Sequence, residues 1–138
     1  MYCINGATSI GTSGIILSGA GPFIFKIVGA LDSVDNSVVT LDGGASACDV
    51  FWAPTAKTTL GANTTFIGTV IDDAGITIGS TTSWLGRALA FGETVTSNTS
   101  TITNTCGPAA GTGMLYVIKA VIGGSLFPSN FRLYVNYG

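Results

Sequence analysis

The sequence predicts an all-β fold, a β-solenoid of about five or six coils followed by a C-terminal β-hairpin. Three observations lead there. "GANTTFIG" at Gly61–Gly68 returns as "GSTTSWLG" at Gly79–Gly86, a repeat of small, polar, aromatic and aliphatic residues in one order. Charged residues make up 9% of the 138-residue chain and hydrophobic residues 46%, against an ordinary charged share of about 25%. Thr, Ser, Asn and Gly must therefore carry the surface, and these favour turns and exposed strand positions. No segment of about 10–12 residues shows helical periodicity, because Gly and β-branched residues interrupt each candidate.

Taken in order, "ATSIGTSGIILSG" (Ala7–Gly19) reads as a first loose coil, and "PFIFKIVGAL" (Pro22–Leu31) with "SVVTLDGG" (Ser37–Gly44) as the next. The strands "DVFWA" (Asp49–Ala53), "TVID" (Thr69–Asp72) and "RALAF" (Arg87–Phe91) then lead into "TTLGANTTFIG" (Thr58–Gly68), "ITIGSTTSWLG" (Ile76–Gly86) and "TVTSNTSTIT" (Thr94–Thr103). Stacked coils lie about 4.8 Å apart, so inward residues should form columns. Val39, Phe66, Trp84 and Ile102 align as one, Leu60 and Ile78 as another. The outward pairs Asn63 and Thr65, Thr81 and Ser83, Thr99 and Thr101 then make a flat grid of hydroxyls and methyls, the members of each pair about 6.6–7 Å apart along a strand. Thr59, Thr77 and Val95 form a less regular second outward column. A soluble solenoid face uses Thr and Ser in any case, so the grid by itself is weak evidence for a ligand.

After Cys106 the character changes. Residues 107–113 read as a linker, and "MLYVIKAVI" (Met114–Ile122) and "NFRLYVNYG" (Asn130–Gly138) as the two strands of a hairpin. An isolated hairpin is marginal in water, so this one is expected to dock on a neighbouring subunit by strand addition through Leu115, Val117, Phe131, Leu133 and Val135. Repeated head to tail, that contact makes a homopolymer. The solenoid domain itself is expected to span residues 1–106.

Several function classes are disfavoured. A net charge of -2 with five basic residues offers no basic stripe for nucleic acid. The stretch "FIFKIVGAL" (Phe23–Leu31) is far shorter than the roughly 20 residues of a membrane helix, so no membrane span is expected. There is no His, a single Glu (Glu93) and no G-x-S-x-G elbow, which argues against an enzyme. Asp72 and Asp73 point to opposite faces of a strand end and are expected at a solvated corner; Asp32, Asp35 and Asp42 suit corner hydrogen bonds better than Ca²⁺ ligation. No metal or cofactor is expected. Cys3, Cys48 and Cys106 are disulfide candidates of undetermined pairing, with three buried thiols as the alternative. The sequons at Asn63 and Asn98, the cysteines and the low charge point to an extracellular or cell-surface protein.

The stretch Leu41–Phe91 also carries a family resemblance. The GGA corner at Gly43–Ala45, "VFW" at Val50–Trp52, G-T-V-I at Gly68–Ile71 and "GRALA" at Gly86–Ala90 resemble the ice-binding-protein-like family of right-handed β-helices, and the likeness extends over about residues 2–106. It implies a secreted protein without cofactor or catalysis that binds ice through a flat Thr-rich face. Members usually carry a cap region and a long helix ahead of the matched part, so the chain resembles the second half of that domain. "LYVIKAVIGGSLFPSNFRLYV" (Leu115–Val135) is similar to the opening strands of Ig-like or prealbumin-like surface-protein repeats. The leading expectation is a self-assembling subunit of an extracellular filament or surface layer. The alternative is a secreted ice-binding protein using Asn63, Thr65, Thr81, Ser83, Thr99 and Thr101; a second alternative is an adhesin module with Trp84 or Tyr side chains stacking on sugars.

Overall fold

The computed structural model describes residues 1–107. Expectations for residues 108–138, including the hairpin and its contact residues Leu115, Val117, Phe131, Leu133 and Val135, lie outside the described residues. The described chain winds through five coils of three strands. Coil 1 holds β1 (Tyr2–Ile4), β2 (Thr8–Ile10) and β3 (Ile15–Ser18); coil 2 holds β4 (Phe23–Ile27), β5 (Leu31–Ser33) and β6 (Val39–Asp42). Coil 3 begins after a 3-10 turn at Ala47–Asp49 and holds β7 (Val50–Pro54), β8 (Thr58–Leu60) and the first half of β9 (Thr65–Asp72). The rest of β9, β10 (Ile76–Ile78) and the first half of β11 (Ser83–Ala90) make coil 4; the rest of β11, β12 (Val95–Ser97) and β13 (Thr101–Thr103) make coil 5.

Strands pair parallel with their counterparts in the next coil, except that β6 and β9 share no ladder and their coils meet there through one bridge, Val38 to Thr65; this gives the solenoid three faces. Face 1 runs through β1, β4, β7 and the second halves of β9 and β11; face 2 through β2, β5, β8, β10 and β12; face 3 through β3, β6, the first halves of β9 and β11, and β13. Between faces 3 and 1, β9 and β11 turn without breaking, at Gly68 (φ 113°) and Gly86 (φ 152°). These two glycines stack so closely that a Cβ on Gly86 would lie 2.0 Å from the Gly68 carbonyl oxygen.

The interior is an aromatic ladder. Phe25, Trp52, Phe66 and Trp84 are buried and follow one another with ring centroids 4.2, 5.5 and 5.0 Å apart, and exposed Tyr2 stacks on Phe25 at 5.1 Å. Buried indole N–H groups need acceptors, and the corner carbonyls supply them: Trp52 Nε1 donates to Ile67 O at 2.9 Å and Trp84 Nε1 to Gly68 O at 2.8 Å. Val39, Phe66 and Trp84 are buried in one column, as expected, and Leu60 stacks on Ile78 in another. Ile102 is in register with Trp84 yet 42% exposed, so the expected column is buried only as far as Trp84.

Two expectations fail here. Thr59 and Thr77 continue into Thr96, while Val95 follows Ile76 in an inward column. The corner before β12 has four residues where the corner before β10 has three, and the next corner is one residue shorter, so a fixed eighteen-residue step slips by one only within β12. Asp72 does not sit at a solvated corner; it is fully buried. Its carboxylate accepts hydrogen bonds from Thr58 Oγ1 and from the Ala74 amide, each at 2.6 Å, and so fastens β9 to β8. Asp73, one residue on, is exposed. Cys48 is bonded to Cys106, and Cys3 is a free, exposed thiol.

Candidate functional site

Three outward columns run along the edge where face 2 meets face 3. On face 2, Ser9, Asp32, Thr59, Thr77 and Thr96 are in direct register. On face 3, Val38, Thr65, Ser83 and Thr101 are in register. Between them, at the apex of the turn, stand Asn36, Asn63, Thr81 and Thr99, all exposed. The six sequence-predicted positions Asn63, Thr65, Thr81, Ser83, Thr99 and Thr101 are therefore brought together and all exposed. They do not lie in pairs on a flat strand as expected, because the first of each pair occupies the turn.

The apex column is held in the left-handed region, with φ of 61° at Asn36, 54° at Asn63, 56° at Thr81 and 48° at Thr99. Asn tolerates this conformation because its short amide can bond locally. A β-branched residue there is a genuine outlier, disfavoured by roughly 1–2 kcal/mol. The stack holds it in place: Asn63 N donates to Ser80 O at 2.9 Å and Thr81 N to Thr99 O at 3.2 Å. The Thr81 hydroxyl donates to Asn63 Oδ1 in the coil below.

Directly inside the apex lies a second hydroxyl column that the sequence did not reveal. Ser37, Thr64 and Thr82 are buried and Ser100 is half-buried. Thr82 Oγ1 donates to Gly61 O at 3.1 Å, and Ser100 Oγ to Gly79 O at 2.8 Å. Ser37 and Thr64 share a hydroxyl contact of 3.4 Å. Each corner thus uses one hydroxyl to fasten the turn and presents the preceding residue to solvent. The signal was present in the doublets Asn63-Thr64, Thr81-Thr82 and Thr99-Ser100, whose second member belongs to the scaffold.

The remaining surface offers less order. Next to the Thr65 column on face 3 come half-buried Ile67 and Leu85, and the 3-10 turn packs on β9 and β11. Outward residues of face 1 include Lys26, Ile71, Arg87 and Leu89, without a repeating chemistry. Trp52 and Trp84 are buried, so neither can stack on a sugar. A groove of about 430 Å³ at the edge of faces 1 and 2 is lined by Lys57, Asp73, Glu93, Thr77, Thr94 and Thr96 among others. Among the described residues no group of three His, Cys, Asp or Glu side chains could hold a metal, and no helix is long and apolar enough to cross a membrane.

Comparison with known proteins fits this architecture. The model of the Ice-binding-like family matches residues 1–103. An ice-binding protein of Flavobacterium frigoris (strain PS1) is 34% identical over 100 residues, 72% of this chain and 35% of the relative. Ice-binding proteins of Lentinula edodes and a Colwellia species are 36% and 37% identical over 51% and 49% of this chain, and over 25% and 27% of their own lengths. Among solved structures, the domain of a Shewanella frigidimarina ice-binding protein superposes with a TM-score of 0.65 at 26% identity, covering 74% of this chain and 47% of the other. An ice-binding protein from an Arctic yeast gives 0.73 at 24% identity over 83% and 49%, a likeness of fold. The chain thus spans from a quarter to about a third of the curated relatives, and about half of these two solved structures.

Proposed function

The chain belongs to the Ice-binding-like family, and from that premise we propose that it adsorbs to ice through its outward apex column and the two columns beside it. In coils 3–5 these are Asn63, Thr81 and Thr99 at the apex, with Thr65, Ser83 and Thr101 on one side and Thr59, Thr77 and Thr96 on the other. The names of the curated relatives favour this reading over the filament or surface-layer reading. It assigns no chemistry, cofactor or metal to the chain, and it suits an exported protein.

The observation that carries the proposal is Thr at Thr81 and Thr99. Strain of this kind persists where the surrounding structure holds it and where it serves a function. Coils 2 and 3 meet the same turn with Asn, so folding does not require Thr there. Threonine adds a methyl beside a hydroxyl on a rigid mount. Rows about 4.8 Å apart then offer ordered water a repeating set of hydroxyl partners and apolar gaps, with no charge in these nine positions to impose a hydration shell of its own. Each row alone binds weakly; a rigid array engages them together.

Thr81→Asn tests the trade directly. Copying the corner residue of coils 2 and 3 is expected to raise the unfolding free energy by about 1 kcal/mol, read by urea denaturation, and to lower thermal hysteresis. A variant that is no more stable, or one with undiminished hysteresis, counts against a strained functional Thr81.

A second reading, assembly of copies end to end, draws on coil 5. Val95 and Ile102 are 43% and 42% exposed, and β12 and β13 are end strands of their sheets among the described residues. Its test is negative-stain microscopy of the full chain beside a chain ending at Cys106. Regular fibres lost on truncation support assembly; separate particles in both samples reject it.

A further inference from the structure

Coil 5 is the least supported part of the described chain. Strands β12 and β13 are exposed at every residue. Its inward positions are Ala88, Ala90, Val95 and Ile102, where coil 4 places Val70, Asp72, Ile76 and Trp84. All four residues of coil 4 are fully buried. Apolar burial offsets the entropy of ordering a segment, and among the described residues coil 5 has little of it. Parallel pairing with coil 4 and a few polar contacts remain, including Ser100 Oγ to Gly79 O at 2.8 Å and the Arg87 guanidinium to the Cys106 carbonyl.

One covalent tie compensates. Cys48 lies in the 3-10 turn ahead of β7, which itself packs on β9 and β11, and Cys106 follows β13. The bond between them encloses coils 3, 4 and 5, a sequence separation of 58, long enough for a cross-link to remove much of the entropy gained on opening. Cys48 is exposed and Cys106 half-buried, within reach of a dissolved thiol.

We propose that Cys48–Cys106 is a reducible clamp that positions the last row of the outward array, Thr96, Thr99 and Thr101. With the bridge intact coil 5 is folded; with it reduced, coil 5 opens while coils 1–4 persist. A dithiol reductant completes the chemistry. Its thiolate attacks one sulfur of the bridge and expels the other cysteine as thiolate; its second thiol then resolves the mixed disulfide. Cys48 and Cys106 end as thiols and the reductant as its own disulfide. The row's part in ice adsorption rests on the function proposed above; the clamp does not.

The test is residue-resolved amide hydrogen exchange on the full chain carrying Cys3→Ser, with and without dithiothreitol. Ile76 N donates to Thr94 O and Thr81 N to Thr99 O, both in coil 5, whereas Gly79 N donates to Leu60 O and Ser83 N to Thr64 O, both in coil 3. Reduction is expected to speed exchange at Ile76, Thr81 and the coil 5 strands by about two orders of magnitude, to leave Gly79 and Ser83 protected, and to be undone by reoxidation. Unchanged exchange at Ile76 and Thr81 overturns the clamp, and so does equal acceleration at Gly79 and Ser83, which marks global loosening. Ice adsorption of the same two samples is expected to fall several-fold on reduction. Undiminished adsorption with an opened coil 5 counts against the row's role in ice binding and leaves the clamp intact.

Discussion

Trp84→Ala is expected to lower the unfolding free energy by about 3–5 kcal/mol. The side chain is fully buried, packs edge-on against Phe66 at 5.0 Å and donates to the Gly68 carbonyl at 2.8 Å. Alanine removes the ring, leaves a cavity that parallel pairing on both sides keeps from closing, and strands a carbonyl at the tightest corner of the fold. Trp84→Phe separates the two contributions, because it keeps most of the apolar volume and loses only the indole donor; about 1–3 kcal/mol is expected for that variant. Urea denaturation measures both. A loss below about 1 kcal/mol for Trp84→Ala would mean that the ladder does not hold the coils together.

Gly86→Ala is the other large effect, expected to destabilise by about 3 kcal/mol or more through overpacking and backbone strain together. Its φ of 152° is unfavourable for an L side chain, and the added Cβ would stand 2.0 Å from Gly68 O. Relief requires coils 3 and 4 to separate at this corner. Because Gly68 O also accepts the Trp84 indole, Gly86→Ala and Trp84→Phe disturb one acceptor, and their effects should be less than additive. Denaturation of the two single variants and the double variant checks this. A near-neutral Gly86→Ala would show that the corner is looser than its stacked glycines indicate.

The coils were legible in the sequence because their requirement is local. Phe66 and Trp84 recur at a fixed step since each inward position meets the same position one coil below. Gly68 and Gly86 recur since the same corner stacks on itself. Thr96 was missed because two corner changes of opposite sign cancel outside β12, so the step looks constant across the segment. The left-handed apex at Thr81 and Thr99 was illegible because it opposes the intrinsic preference of Thr, and a rule based on preference cannot foresee an exception held by neighbouring coils. The division of Thr81-Thr82 into a displayed and a buried hydroxyl needs the turn geometry as well. Asp72 reads as a surface residue until Thr58 and the Ala74 amide are seen converging on it. The Cys48–Cys106 pairing depends on distance along the solenoid axis, to which sequence separation is a poor guide.

Ice adsorption by the outward columns is measured most directly by growing an ice hemisphere in a solution of the chain labelled with a fluorophore at Cys3. That thiol is exposed in β1 of face 1, away from the three columns. Wild type is predicted to enter the ice in defined bands, and Thr81→Tyr, whose ring would stand above the array, to be excluded while keeping its fold by circular dichroism. Exclusion of wild type like an ordinary solute, or equal uptake of a folded Thr81→Tyr, would contradict an ice-binding surface at this edge.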